Sequence, residues 1–266
     1  MQLRRSIRVQ FQGHSEQPLA GIIDMPEEDP KAYIIFAHCF TCTKYIKAVV
    51  KVSRLLAQHG FGVLRFDFTG LGDSKGDFSA TNFSTTREDL RCAIRFLSDS
   101  YSAPVALIGL SLGGAACLSV AQEFASIAAV ITLAAPSDTQ HLARLLVNKD
   151  PKIVEHGIGE VEIGGRTYTI RQQMIDDLNA FDLPKHISAL KKPLLVFHSP
   201  ADKTVSMEHA WRIQSLTQTA DFSASSIKRG TSLISLPGSD HLLVENPDDI
   251  PFVAHIAYTW LQRILS

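Results

Sequence analysis

Short apolar runs alternate with stretches of helical periodicity along most of this chain, the pattern of a layered α/β fold. "RSIRVQFQG" and "LAGIIDMP" predict a leading antiparallel hairpin. "KAYIIFA" (31–37) is nearly continuous in apolar residues, as a strand covered on both faces should be. Ile46, Val49, Val50, Val52, Leu55 and Leu56 form a helical stripe that stops near Gly60. "FGVLRFDF" (61–68) predicts the next strand. Thr85 with Glu88 three residues on predicts a capping box, opening a helix that carries Leu90, Ala93, Ile94 and Leu97 on one face. "APVALIGL" (103–110) is a buried strand followed by the small-residue helix "LGGAACLSVAQEF", and "IAAVITLAAP" (127–136) is a further strand.

The rhythm breaks over residues 137–192. "GEVEIGGRTYTI" there predicts a hairpin turning at Gly164-Gly165, between amphipathic helices carrying Leu142, Leu145 and Leu146 before it and Met174, Ile175 and Leu178 after it. The alternation then resumes with "KPLLVFH" (192–198), the helix "MEHAWRIQSL", a last strand "GTSLISL" (230–236) and the closing helix "PFVAHIAYTWLQRIL". The expectation is a mostly parallel sheet of about eight strands flanked by helices. Residues 1–136 and 193–266 form the core, and 137–192 are a cap insertion rather than a separate domain.

Composition narrows the function without choosing it. The 266 residues are 45% hydrophobic and 20% charged, with 26 basic and 27 acidic side chains and a net charge of -1. That balance argues against nucleic acid or an anionic membrane as an obligate partner. "MQLRRSIRVQFQG" lacks the apolar core of a signal peptide, and no apolar run reaches the ~20 residues of a membrane helix. Four cysteines (39, 42, 92, 117) do not read as a disulfide framework. A cytoplasmic protein is expected, and a homodimer is the reasonable guess for its oligomeric state.

Gly109-Leu110-Ser111-Leu112-Gly113 is a G-x-S-x-G set between a buried strand and a helix, the context in which this motif has mechanical meaning. A serine on a sharp strand-to-helix turn is strained and exposed at the sheet edge, above a helix N-terminus. Gly109 and Gly113 keep side chains out of the neighbouring strand and helix. Such a hydroxyl needs a base. Among ten histidines His241 is the best candidate, because "LPGSDHLLVENP" puts it in a polar loop directly after the last strand. His59, His209 and His255 lie on helical patterns, His141, His156 and His186 in the insertion, His14 in the leading turn, and His198 ends a strand. The acid that orients the imidazole is expected to be Asp202 in "VFHSPADKTV", with Asp138 the alternative and Asp240 pointing elsewhere. The order Ser111, Asp202, His241 is that of α/β-hydrolases.

Acyl transfer also requires N–H donors for the developing oxyanion. One is expected at Leu112, after the nucleophile. The other is expected at Phe40 in "HCFTC", the loop after the first central strand, with His38 fixing that loop by hydrogen bonds and Cys39 standing where glycine is usual.

With those residues in view, the chain resembles the serine α/β-hydrolases from about residue 15 to its end. "FAHCFTCTK", "VLRFDFTGLGDSKGDF", "TNFS" (81–84), "SLGGAA" and "HSPADKTV" resemble one branch more narrowly. It is the hydrolase domain often fused in bacteria to an OsmC-type peroxidase domain. This sequence departs in ending at residue 266 without that second domain, and in having Leu110 where the branch often has histidine. The resemblance implies a Ser–His–Asp acyl-enzyme mechanism without metal or cofactor.

Other readings of the same motifs are weaker. Cys39-x-x-Cys42 suggests thioredoxin-like redox chemistry, but that motif should open a helix with its first sulfur exposed. Structural zinc needs two more ligands, and Cys92 and Cys117 belong to helices. Gly70, Gly72 and Gly76 in "DFTGLGDSKG" follow a strand as in a dinucleotide site, but no helix opens at the third glycine. The expected function is a carboxylesterase acting on small-molecule esters of short or medium acyl chains. Thioesterase, amidase, perhydrolase or dienelactone-hydrolase-like chemistry uses the same parts, and a non-catalytic binding protein is the alternative of a different class. Leu142, Leu145, Leu146 and Phe181 suggest that the insertion supplies an acyl or aryl pocket.

Overall fold

The computed structural model describes residues 5–218 and 230–266; the first four residues of the leading segment lie outside them. An antiparallel hairpin, β1 (Ser6–Gln12) and β2 (Pro18–Asp24), opens the chain. It is followed by β3 (Ala32–Ala37), α1 (Lys47–Gln58), β4 (Phe61–Phe66), α2 (Phe83–Ser100), β5 (Pro104–Leu110), α3 (Leu112–Val120) and β6 (Ala129–Leu133). Next come α4 (Gln140–Lys149), the single turn α5 (Lys152–Glu155), the hairpin β7 (Ile158–Ile163) and β8 (Arg166–Arg171), α6 (Gln172–Ala180) and α7 (Leu183–Ser188). β9 (Leu194–His198), α8 (Met207–Thr217), β10 (Thr231–Ser235) and α9 (Asp249–Leu265) complete it.

Among the described residues the main sheet has eight strands in the order β1-β2-β4-β3-β5-β6-β9-β10. β2 joins β4 antiparallel, and every pairing from β4 to β10 is parallel. Successive side chains of the central strands divide between two apolar layers because a strand alternates faces. Ile35 and Ala37 of β3, Leu107 of β5 and Val196 of β9 pack with α2, α3, α7 and α8. Ile34 and Phe36, Ala106 and Ile108, and Leu195 and Phe197 pack with α1 and α9 on the other side. Coverage on both faces explains the unbroken apolar runs.

Two details differ from the sequence expectation. The N-cap of α2 is Asn82, not Thr85: the Asn82 side chain accepts the Thr85 N–H at 2.9 Å, and the Thr85 hydroxyl lies 2.9 Å from the Asn82 N–H. Thr85 is thus the third helical residue of the box, which moves the helix start to Phe83 and buries that ring. Further, Cys39 and Cys42 form a disulfide, with Cα atoms 5.2 Å apart. Composition gave no sign of it.

The segment between β6 and β9 folds as helices around the β7–β8 hairpin, whose Gly164 and Gly165 both take positive φ, as a two-residue hairpin turn requires. Leu146, Ile170, Met174, Ile175 and Leu178 continue the apolar layer of the α2/α3 side, and Leu183 and Ile187 of α7 do the same. No helix among the described residues is long and apolar enough to cross a membrane.

Candidate active site

The elbow that carries the candidate nucleophile is built from the end of β5 and the start of α3. Ser111 has φ 53° and ψ -119°, a conformation rare for a residue with a side chain, held by its N–H donating to Leu133 O at 2.8 Å and its carbonyl accepting from Ala115 N–H at 3.1 Å. The glycines on either side are forced by contact. A Cβ on Gly109 would stand 2.4 Å from Gly113 O, and one on Gly113 would stand 2.3 Å from Ala37 O and 2.4 Å from His38 O. The elbow is therefore pressed onto the backbone where β3 passes into the "HCFTC" loop.

His241 and Asp202 meet although 39 residues separate them. Asp202 Oδ2 lies 2.7 Å from His241 Nδ1, and its Oδ1 accepts the Thr204 and Val205 N–H groups at 2.8 and 2.9 Å. Burial alone pushes the Asp202 carboxyl pKa up; the His241 hydrogen bond and charge, with those two N–H groups, outweigh it and hold the pKa below the ordinary aspartate range. Nε2 of His241 has no hydrogen-bond partner among the described residues, and the side chain is 15% exposed. Asp138, the alternative acid, is engaged elsewhere: it accepts the His141 N–H in the first turn of α4 at 2.9 Å and accepts from Arg212 at 3.0 Å. Asp240 accepts the N–H groups of Leu242, Val244 and Glu245, and so shapes the loop after His241.

Opposite the elbow, the loop after β3 is fixed from below. The His38 ring is fully buried, donating from Nδ1 to Cys39 O at 2.8 Å and accepting the Phe68 N–H on Nε2 at 3.2 Å. Burial lowers its pKa to about 4, so the ring is neutral, as this pair of bonds requires. Lys44 forms a buried ion pair with Asp67, which also accepts the Lys44 and Asp73 N–H groups at 2.6 and 2.8 Å. Neither the Phe40 N–H nor the Leu112 N–H has a hydrogen-bond partner among the described residues. Thr41 has φ 58°, and its carbonyl accepts the Tyr168 hydroxyl from the β7–β8 hairpin at 3.0 Å.

Ser111, Leu112, Phe40 and His241 all line one cavity of about 850 Å³. The segment between β6 and β9 supplies much of its apolar wall, with Leu142, Leu145, Leu146, Ile163 and Tyr168. Sequence reasoning did not single out Tyr168 or the histidine at 141, whose Nε2 lies 2.7 Å from Thr204 O at the cavity edge. Their partners lie 127 and 63 residues away, and no local pattern encodes such pairs.

Comparison with known proteins agrees with this fold. Residues 28–161 match the family model described as serine aminopeptidase, S33. The esterase domain of a Rhodothermus marinus protein is 38% identical over 98% of this chain and all of that one, with a TM-score of 0.75. Est1E from Butyrivibrio proteoclasticus, solved with ferulic acid bound, shares the fold at 19% identity, with 97% of this chain and 99% of that one covered and a TM-score of 0.80. Human protein ABHD12B is 25% identical over 223 residues, which are 82% of this chain and 58% of that protein. The chain thus spans little more than half the length of that curated relative. On its fold, the matched residues and the extent of the likeness to a solved esterase domain, the chain belongs to the serine aminopeptidase (S33) family of α/β hydrolases.

Proposed function

We propose that the protein is a carboxylesterase with Ser111 as nucleophile, His241 as general base and acid, and Asp202 as the group that orients His241. The observation that carries this reading is the 2.7 Å Asp202–His241 pair, open at Nε2, on the same cavity as a strained elbow serine. Nδ1 is committed to the carboxylate, so Nε2 is the nitrogen that takes the Ser111 proton as the hydroxyl attacks an ester carbonyl. The carbonyl oxygen gains negative charge and is received by the unpaired N–H groups of Phe40 and Leu112. The imidazolium, stabilised by Asp202, protonates the departing alcohol. Water activated at the same Nε2 then frees the acid and restores Ser111.

An ester is favoured over an amide by the likeness to the Rhodothermus marinus esterase domain, which covers nearly the whole chain. The apolar wall around Leu142, Leu145 and Leu146 suits short to medium acyl chains, and the β6–β9 segment acts as the cap that sets their size. The test is a p-nitrophenyl ester series run beside an aminoacyl p-nitroanilide, with Ser111→Ala as control. Ester turnover should fall by several orders of magnitude in the variant, and a fluorophosphonate probe should label only the wild type. Equal labelling of both proteins would remove Ser111 from the mechanism. Faster anilide than ester turnover would make the enzyme an amidase.

A further inference from the structure

The Cys39–Cys42 bond closes a small covalent ring around Phe40 and Thr41. Phe40 lines the elbow cavity and its N–H has no hydrogen-bond partner among the described residues, and Thr41 is a β-branched residue at φ 58°, a conformation such residues avoid. The ring is therefore what confines an unfavourable backbone beside the reacting atoms. Its hydrogen bonds are few: Cys42 N–H and His38 Nδ1 to Cys39 O at 3.2 and 2.8 Å, the Thr41 hydroxyl to Phe40 O at 2.6 Å, and the Tyr168 hydroxyl to Thr41 O. Both cysteines line the substrate cavity, Cys39 only 4% exposed and Cys42 half-buried, so a small molecule reaches the bond by the route a substrate takes. The motif also lies in a loop, five residues before α1 begins, unlike a helix-opening dithiol.

We propose that Cys39–Cys42 is a thiol–disulfide exchange site for small dithiols, and that its oxidation state sets the hydrolase rate through the Phe40 N–H. A dithiol loses a proton, and its thiolate attacks Sγ of Cys42, the more accessible sulfur. The Sγ–Sγ bond breaks and Cys39 leaves as thiolate, which takes up a proton. The second thiol of the reductant then displaces Cys42 from the mixed disulfide. In total the protein gains two electrons and two protons, and the dithiol becomes a cyclic disulfide. With the ring open, Thr41 relaxes toward negative φ and the Phe40 N–H loses its aim at the oxyanion. That contact belongs to the transition state, so kcat falls and KM changes little.

This inference rests on the hydrolase reading above, and the experiment separates the two. Intact protein is treated with a cyclising dithiol, then split between steady-state kinetics and alkylation under denaturing conditions read by mass spectrometry. Alkylation should rise from two cysteines, Cys92 and Cys117, to four. kcat should fall at least about tenfold, toward the ~10²–10³ that removal of one oxyanion donor costs, and reoxidation should restore it. A Cys39→Ser/Cys42→Ser double variant should sit at the low kcat and ignore reductant. Four alkylated cysteines with unchanged kcat, or a bond that resists dithiol in the folded protein, overturns the proposal. Loss of all ester turnover in both redox states overturns the hydrolase reading instead.

Discussion

His38 shows how far one buried side chain can be committed to shape. Its two nitrogens join the backbone of Cys39 to that of Phe68, tying the loop after β3 to the loop after β4. Both bonds need the neutral ring with the proton on Nδ1, and burial enforces it by lowering the pKa from 6.5 to about 4. The sign of the pH effect follows. Between pH 6.5 and about 4 the unfolded chain binds a proton that the native chain refuses. The stability from neutral His38 is complete above the unfolded value and drains away as pH falls through that window. The effect is on the order of 3 kcal/mol. Urea midpoints of wild type and His38→Asn, measured at pH 7 and pH 4.5, should converge at the lower pH because the variant lacks this proton linkage. Parallel pH profiles would assign the acid sensitivity to other groups. Asp202 acts outside that window, since its depressed carboxylate gives stability that is held above the ordinary aspartate value of 3.8 and lost only as pH falls below it. It is present in both proteins and cancels in the comparison.

At the scale of elements, the elbow works because β5 and α3 approach the end of β3 more closely than any side chain allows. Gly113→Ala places a methyl 2.3 Å from Ala37 O, and neither that carbonyl nor His38 O can yield without moving β3. The expected cost is roughly 1–3 kcal/mol of stability, together with a fall in kcat as the Phe40 loop shifts from the elbow. Thermal denaturation beside ester kinetics checks both, and a variant as stable and as fast as wild type would mean that the two backbones have slack. Most of this was legible in the sequence, for local reasons. The elbow shows because strand, G-x-S-x-G and small-residue helix are contiguous, and the β7–β8 turn shows because two glycines are the cheapest way to place two positive φ values side by side. Asp202 and His241 were found through the loops that follow β9 and β10. What could not be read depends on space. Asn82 stands as the cap in place of Thr85 although residues of both types suit the N-cap, and the earlier start buries Phe83. The Tyr168–Thr41 bond joins residues 127 apart. The disulfide requires a chain reversal at Thr41 whose φ no propensity would suggest.

Over the whole molecule, the cavity divides its labour between two parts of the chain. The core contributes the polar wall: the elbow, the loop of Cys39 to Thr43 and the His241 loop. The β6–β9 segment contributes an apolar wall of Leu142, Leu145, Leu146, Ile163 and Tyr168 from α4 and the β7–β8 hairpin, edged by His141, Lys149 and Arg166, and its inner side is continuous with the α2/α3 layer. A segment anchored in this way is a fixed boundary, so in the proposed role of cap its side chains and not its motion should decide how long an acyl group fits. Leu145 is a suitable probe because it is only half-buried and lines the cavity, whereas Leu146 beside it is buried in the core layer and would report packing instead. Leu145→Trp adds a bulky ring to a space of about 850 Å³ without touching Ser111, Asp202 or His241. One methylene of a bound chain is worth about 0.8 kcal/mol, or roughly fourfold in kcat/KM. Blocking two or three methylenes should therefore lower kcat/KM for octanoate by about 15- to 60-fold relative to acetate. The readout is the ratio of p-nitrophenyl octanoate to acetate turnover, which corrects for any general loss of active enzyme. A ratio that stays at the wild-type value would place the acyl chain along the core side of the cavity, toward Ile46, and leave the cap without a part in chain-length selection.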